Sequence, residues 1–202
     1  MVNYQIIIEY LGLNYVGWQV QKNGISIQSK IEKALTKTLN SKIKIIGSGR
    51  TDAGVNALGQ SANFYFKNEI KDHFKFLNTV NFFLNNSSIA IISLKKRNKN
   101  FHARHSARKR SYEYIIFNRT GQLVIYKNRS WLIKKELDFK KMKKAINYFY
   151  GTHNFSAFRS SRWVEERSII LISKVNIKID GEEVLVTFLA YTSLQKQVRP
   201  MV

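Results

Sequence analysis

The stretch from 47 to 60, GSGRTDAGVNALGQ, contains the residues best suited to chemistry. At its centre is one carboxylate, Asp52, and the sequence has no other Asp or Glu from Lys33 to Asn68. An ionised carboxylate can act as a nucleophile or as a general base. Arg50, two residues earlier, can form a charge-assisted pair that keeps Asp52 ionised and oriented. We therefore interpret Asp52 as a candidate catalytic group.

This loop has two other interpretations, a phosphate-binding turn and a purely structural turn. A P-loop is excluded because there is no Gly-Lys-Ser/Thr motif, and because Asp52 would repel a phosphate on the same backbone. In a structural turn, Asp52 would accept a hydrogen bond from a nearby N–H. Arg50 favours the chemical role. Only Lys and Arg surround Asp52 among the charged residues of this region, and a carboxylate there weakens the binding of an anionic ligand, so its presence is better explained by a chemical role.

The composition is strongly basic: 202 residues include 34 Lys and Arg against 13 Asp and Glu, a formal net charge of +21. Such a field concentrates polyanions and speeds their capture, so we expect nucleic acid as the partner. There is no apolar run of about 18 residues and no basic region ahead of the first apolar stretch, so we expect a cytoplasmic protein without membrane association. Zero cysteines exclude disulfides and thiolate chemistry.

Residues 95–110, KKRNKNFHARHSARKR, are half Lys or Arg, and we call this stretch the basic segment. Such a run is often a solvated linker between domains. The alternative is a surface that follows an RNA backbone, with Phe101, His102 and His105 available to stack or to form hydrogen bonds. The overall charge favours that alternative. The two histidines have a spacing that metal sites use, but no carboxylate or cysteine accompanies them, so we expect no metal.

Hydrophobic periodicity predicts two similar halves. In the first half, strands are expected near 4–10, 42–46, 61–66 and 89–94. Ser26 is the candidate N-cap of a first helix, and a second helix is expected over about 71–85. The resulting order, βαββαβ, is the split-βαβ, ferredoxin-like arrangement. The expected inward positions of the two helices are Ile27, Ile31, Leu35 and Leu39, then Phe76, Val80, Phe83 and Leu84.

In the second half, a strand over 111–117 precedes a helix over 138–151 with Gly151 as its stop. Asp180-Gly181 predicts a hairpin turn, and a last helix is expected after Leu194. We expect inward helical positions at Phe139, Met142, Ile146 and Phe149.

The second half therefore reads βαββα without a closing strand, which suggests a C-terminally truncated chain. The fold class expected is α+β, with two ferredoxin-like halves, residues 1–103 and 104–202, sharing one antiparallel sheet and a central RNA-binding cleft.

Four segments together resemble a known family. They are YLGLNYVGWQVQ, GSGRTDAGVNALGQ, FHARHSARKRSYEYIIFN and NFSAFRSS, and they are similar in sequence and order to the tRNA pseudouridine synthase A (TruA) family. The resemblance implies an isomerase without cofactor or metal. It would detach uracil from its ribose, turn it and rejoin it through C5, at uridines 38 to 40 of the tRNA anticodon stem-loop. It also implies a homodimer.

The same resemblance implies roles for single residues. Asp52 matches the catalytic aspartate, acting at ribose C1′ or on a ribose proton, and Arg50 matches the arginine that enters the space left by a flipped nucleotide. Tyr112 matches the tyrosine that stacks on the target uracil, and Arg199 the arginine that pairs with the aspartate. The residues expected to bind RNA are Trp18, Asn56, Arg97, Phe101, His102, Arg104, Arg108, Lys109 and Arg110.

Without the resemblance, several of these residues have ordinary interpretations. Trp18 could pack in the core, Arg199 could be a solvated helix residue, and one of Tyr112 and Tyr114 would lie in the core with the other on the surface. The family usually has His where this chain has Asn56, so we expect altered loop positioning. Pro200 disfavours a helical Arg199 unless a helix begins here.

Two rival classes also fit a basic α+β protein: a non-catalytic RNA-binding module and a structural ribosome-associated protein. The sequence has no RNP1-like octamer, which counts against an RRM. A structural role does not explain Asp52.

Overall fold

The computed structural model describes residues 1–158, 169–192 and 197–202. The protein is α+β, as expected, and its chain forms two compact units, Met1–Ala107 and Arg108–Val202. No helix in the described ranges is both long and apolar enough to cross a membrane. Part of the NFSAFRSS motif, and the start of the helix expected after Leu194, lie outside the described residues.

The first unit has the element order that the sequence predicts. Its four strands form an antiparallel sheet in the order β2-β3-β1-β4, with the two helices as long connections. The elements are β1 (Val2–Tyr10), α1 (Ile27–Leu39), β2 (Ile45–Gly47), β3 (Ala57–Phe66), α2 (His73–Leu84) and β4 (Ile89–Arg97).

One face of this sheet packs against both helices. Alternate residues of β1 and β3 are fully buried there, as half-buried strands require. From α1 and α2 the same core receives residues at helical spacing. Ser26 caps α1 by accepting a hydrogen bond from Ser29 N–H at 3.1 Å, which confirms the predicted N-cap. The central members of the core are Tyr4, Ile6, Ile8, Tyr10, Phe64, Ile31, Leu35 and Val80.

The second unit has a five-stranded sheet in the order β6-β5-β9-β8-β7. Its elements are β5 (Arg110–Asn118), β6 (Trp131–Ile133), α3 (Phe139–Ile146), β7 (Gly151–Asn154), β8 (Ile169–Asp180), β9 (Glu183–Ala190) and α4 (Val198–Met201), with short 3₁₀ turns at 147–149 and 156–158.

The expectation of one shared antiparallel sheet is corrected in two respects. The described strands form two hydrogen-bonded sheets, one in each unit. The second sheet is mixed, because β6 runs parallel to β5. The short strand β6 and the four-residue β7 were not predicted, since their sequences are too short for a period to be visible.

Most predicted elements of the second unit are present with shifted ends. The Asp180-Gly181 hairpin is confirmed, with Gly181 at φ +57°. Gly151 does not end the predicted helix: α3 ends at Ile146, a 3₁₀ turn follows, and Gly151 begins β7. Of the expected inward positions, Ile146 is buried in the hydrophobic core of the second unit, and Phe139, Met142 and Phe149 are partly buried against that core.

Two side-chain predictions were wrong. Phe83 is 40% exposed, whereas Phe76, Val80 and Leu84 on the same helix are buried. Tyr112 and Tyr114 do not lie on opposite faces; both are partly buried against the hydrophobic core of the second unit. The reason is geometric, because residues two apart in a strand share a face.

Candidate active site

Residues 48–56, the Asp52 loop, connect β2 to β3, and their backbone is fixed by several hydrogen bonds. Trp18 N–H donates to Thr51 O at 3.0 Å, immediately before Asp52. Val55 N–H donates to Asp52 O at 3.2 Å, which closes a turn with Gly54 at φ +74°. The position of the Asp52 main chain is therefore set from both sides.

Two glycines of the β1–α1 loop, residues 11–26, allow that loop to contact the Asp52 loop closely. A Cβ at Gly17 would lie 2.7 Å from Thr51 O, and Gly17 also has φ +105°. A Cβ at Gly12 would lie 2.1 Å from Val55 O. Any side chain at either position would push the two backbones apart, so the Asp52 loop depends on both glycines.

Tyr10 lies beneath the loop and is 2% exposed. Its hydroxyl lies 2.8 Å from Thr51 Oγ1 and donates to Gln60 Oε1 at 2.9 Å, while Gln60 Nε2 donates to Gly49 O at 3.0 Å. Burial raises the pKa of Tyr10 to about 12, against a smaller lowering by the Thr51 hydrogen bond. The hydroxyl therefore stays protonated and can support the loop throughout the neutral range.

Asp52 itself is half-buried, and Arg50 is exposed. A partly buried carboxylate on a fixed backbone is suited to act as a nucleophile or base, because its position needs no rearrangement before reaction. Arg50 lies within the same loop, where its exposed side chain is available to an approaching ligand.

Trp18 is 2% exposed and packs in the core, and direct contact of its side chain with RNA stays a prediction. Its ring packs 6.2 Å from the Tyr10 ring, and a Cβ at Gly47 would lie 2.6 Å from it. Its C=O accepts from Gln28 N–H in α1 at 3.1 Å. Trp18 thus connects the helix to the Asp52 loop from within the core.

Asn56 is exposed and ties the loop to the β1–α1 loop. Its Oδ1 accepts a hydrogen bond from Gly12 N–H at 2.8 Å. Asn56 therefore has a contact that helps to position the loop. A contact with RNA through its amide group stays a prediction.

The first part of the basic segment is fixed to the sheet by two buried amides. Asn63, which is 0% exposed, donates to Asn3 Oδ1 at 3.1 Å and accepts from Ala103 N–H at 2.9 Å. Asn3 Nδ2 donates to Asn98 O at 3.0 Å and to Phe101 O at 2.7 Å. Residues 98–103 are therefore an ordered part of the first unit, not a solvated linker.

Phe101 is 9% exposed, so little of its ring faces solvent, and its stacking on RNA stays a prediction. The guanidinium of Arg97 covers the ring, with Cζ 4.4 Å from the ring centroid. Arg97 is half-buried, so part of its side chain remains exposed. The group available to a ligand here is Arg97, supported by Phe101 beneath it.

His102 and His105 contact each other, with ring centroids 4.3 Å apart. His102 Nδ1 accepts from His105 N–H at 3.3 Å, and Ser106 Oγ accepts from His102 N–H at 3.1 Å. These bonds form a compact turn. In the part of the chain that the structure describes, no three His, Cys, Asp or Glu side chains group as metal ligands.

The remaining cations of the basic segment have different surroundings. Arg104, Arg108 and Lys109 are exposed. Lys109 Nζ lies 5.5 Å from the Tyr191 ring centroid, and Arg110 Nη1 donates to Tyr191 O at 3.1 Å. The chain thus presents several charges that an anionic partner can reach.

The two other predicted catalytic residues lie in the second unit. Tyr112 pairs with Phe188 between β5 and β9 and is half-buried. Arg199 is exposed on α4, which begins at Val198. Pro200 therefore falls in the first helical turn, where a missing N–H leaves no hydrogen bond unmade, and Arg199 remains helical. The conflict expected from Pro200 does not arise.

Several residues that support the site were not found from sequence. Tyr10, Gln60, Asn3 and Asn63 act through partners far along the chain: Tyr10 and Thr51 are 41 residues apart, and Asn3 and Asn63 are 60 apart. A faint signal existed for the asparagines, because each is a polar residue inside a strand that reads as apolar.

The fold and the loop together define a class of protein: a basic α+β protein with one partly buried carboxylate on a held loop. No family model matches the chain. Curated relatives match the chain, and the three that follow are named tRNA pseudouridine synthase A. One from Pelagibacter ubique (strain HTCC1062) is 46% identical over all of this chain and 82% of its own length.

The same holds for more distant relatives. A protein from Ehrlichia ruminantium (strain Gardel) is 38% identical over all of this chain and 82% of its own length. One from Neorickettsia sennetsu (strain ATCC VR-367 / Miyayama) is 35% identical over all of this chain and 83% of its own length. The chain belongs to the tRNA pseudouridine synthase A family. The resemblance seen in the motifs is confirmed, and so is the prediction of an isomerase.

Proposed function

We propose that this protein converts uridine to pseudouridine in tRNA. In this reaction the bond from uracil N1 to ribose C1′ breaks and a bond from C5 to C1′ forms. The proton of C5 is lost and N1 gains one, so atoms and electrons balance without water or a redox partner. Support comes from the relatives, which are named for this reaction, and from the fixed Asp52 loop.

The observation that carries the proposal is the placement of Asp52. It is the single acid between Lys33 and Asn68, on a backbone held by the β1–α1 loop and by the buried Tyr10. A fixed carboxylate can attack C1′ and displace uracil, or remove a ribose proton and promote its departure. Either route requires the target nucleotide to leave the helix stack and enter the protein.

We assign the other roles as follows. Arg50, exposed beside Asp52, occupies the space that the flipped nucleotide leaves. Tyr112 stacks on the detached uracil and holds it while it turns. Arg199 pairs with Asp52 and keeps the carboxylate ionised.

The proposed architecture and substrate follow the same reasoning. Each unit is a ferredoxin-like half, and RNA binds in a cleft between these two halves. The protein acts as a homodimer in the cytoplasm. The order β2-β3-β1-β4 in the first unit supports the ferredoxin-like reading. The target uridines are those at positions 38 to 40 of the anticodon stem-loop.

The test is to incubate the protein with unmodified tRNA and map pseudouridine by chemical labelling at single-nucleotide resolution. We expect labelling at the anticodon-arm uridines and nowhere else. A matched tRNA with cytidine at those positions is the control and should stay unlabelled. Tight tRNA binding with no pseudouridine in either RNA would favour the non-catalytic RNA-binding module instead.

A further inference from the structure

A pocket of about 550 Å³ lies in the first unit and has no role in the site described above. Its lining comes from separate segments: the first residue, the residues before β2, the end of β3 and the connection after β4. The lining residues are Met1, Lys42, Lys44, Tyr65 and Lys99. Because the sheet brings these segments together, the pocket is a product of the fold and not of one charged run.

The pocket is positively charged. Three of its lining side chains are lysines, and no carboxylate is among the described residues that line it. Lys44 Nζ lies 2.8 Å from Glu32 Oε2, which fixes Lys44 in place and offsets part of its charge. Lys42 and Lys99 are exposed and lack such an acid among their pocket neighbours. These cations suit a phosphodiester group.

Tyr65 adds an aromatic surface to these charges. It lies between Phe64 and Phe66, which are buried in the core, so alternation along β3 places Tyr65 on the opposite face of the sheet. Its side chain is 38% exposed. A ring that faces solvent beside lysines can stack on a nucleobase while the lysines bind its phosphate, and such stacking tolerates any base.

The sheet register separates this pocket from the Asp52 loop. Tyr65 pairs with Asn3 on β1, whereas Thr51 of the Asp52 loop bonds to Tyr10 at the other end of the same strand. Seven residues at about 3.3 Å each place the two sites roughly 23 Å apart. Neighbouring nucleotides of one strand lie much closer together than this, about 3.4 Å apart along a B-form duplex, so one nucleotide cannot occupy both places.

We propose that the pocket binds one nucleotide of the substrate tRNA outside the anticodon stem-loop, with its phosphate on Lys42 and Lys99 and its base on Tyr65. This inference rests on the proposed function, because it takes tRNA as the RNA bound and the Asp52 loop as the position of the target uridine. Such a contact selects a whole tRNA over an isolated stem-loop, since the isolated stem-loop lacks the distant nucleotide.

The test compares whole unmodified tRNA with an isolated anticodon stem-loop. For the double variant Lys42→Ala/Lys99→Ala, we expect KM for tRNA to rise about tenfold or more, with kcat within about twofold of the parent. KM for the stem-loop should not change. The slope of log K against log salt for tRNA should become shallower by about 2.

Tyr65 supplies the second arm. Tyr65→Phe keeps a ring that can stack and should behave as the parent, whereas Tyr65→Ala should weaken tRNA binding about tenfold. A melting curve of each variant identifies loss of folding. Lys42 and Lys99 are exposed, so their double variant still tests the proposal if a Tyr65 variant fails to fold.

The matched control is Lys33→Ala/Lys75→Ala, which removes two exposed lysines from the helices of the same unit. An equal loss of tRNA binding in the control and pocket variants would overturn the inference, as would an equal loss for the stem-loop. Dissociation constants for both RNAs are measured alongside turnover. A parent that forms no pseudouridine would therefore count against the proposed function, while the difference in binding still decides the pocket.

Discussion

The Asp52 loop lies in the first unit and the basic segment runs from the first unit into the second; both stretches are charged, but their environments differ. The Asp52 loop is held by backbone hydrogen bonds, by close contacts at Gly12 and Gly17, and by the buried hydroxyl of Tyr10. In the basic segment, Asn3 and Asn63 hold the backbone, while the cations of its middle part point to solvent.

This difference follows from what each stretch has to do. Chemistry requires a reacting group within a fraction of an ångström of its target, so the loop is fixed on every side. Attraction of a polyanion depends on charge density, which tolerates mobile side chains. We therefore expect substitutions in the loop to affect turnover and substitutions in the segment to affect affinity.

The largest effect is expected for Asp52→Asn, which keeps the shape of the side chain and removes its charge. Turnover should fall by about a thousandfold or more, because no other group can replace the carboxylate. RNA affinity should stay within about tenfold of the parent. Single-turnover rates measure the loss of turnover, and dissociation constants measure the RNA affinity. Glu9→Gln, which removes one exposed acid outside the loop, is the control; comparable activity in both variants would exclude Asp52 from the mechanism.

Gly17→Ala should come next. The added Cβ would lie 2.7 Å from Thr51 O, so the two loops must separate and Asp52 must move. We expect kcat to fall about a hundredfold with little change in KM. At Gly59 a Cβ would meet only Ile7 Cγ2 at 3.6 Å, so Gly59→Ala is the matched control. A normal kcat for Gly17→Ala would show that the loop contact does not position the carboxylate.

Asn63→Ala should weaken the fold more than the chemistry. It leaves Asn3 Oδ1 and Ala103 N–H without their buried partner, which costs about 1–3 kcal/mol of unfolding free energy. Urea denaturation measures this loss, and exposed Asn100→Ala is its control. An unchanged midpoint would mean that the basic segment does not depend on the amide pair.

The smallest effect is expected for Arg108→Ala, in the exposed part of the basic segment. One lost phosphate contact should raise KM about threefold, leave kcat unchanged and make the salt slope shallower by about 1. Titrations at several salt concentrations measure this. A fall in kcat as large as that of Gly17→Ala would remove the distinction drawn between the two stretches.

The parts of the molecule that were predicted correctly depend on local sequence. Ser26 capping α1 and the hairpin at Asp180-Gly181 each need only a few neighbouring residues. The burial of Trp18 and Phe101 could not be predicted, because an aromatic residue beside basic or polar neighbours looks the same in sequence whether it is buried or exposed.

Other features could not be predicted, since they exist only when distant strands pair. Tyr10 reads as an ordinary strand aromatic, and nothing near it in sequence indicates that Thr51 and Gln60 complete its hydrogen bonds. The pairing of Asn3 with Asn63 depends on the register of β1 and β3. Register is a property of the whole sheet, and a local pattern does not determine it.

The buried Tyr10 also links proton binding to the stability of the loop. Because burial raises the pKa of Tyr10 from its ordinary value of 10.0 to about 12, the folded state holds this proton more tightly than the unfolded state does. The resulting stabilisation is complete below pH 10 and is lost as the pH rises through 12. Across the neutral and mildly alkaline range, Tyr10 therefore stays uncharged beneath Asp52, and changes in activity with pH there do not come from the titration of Tyr10.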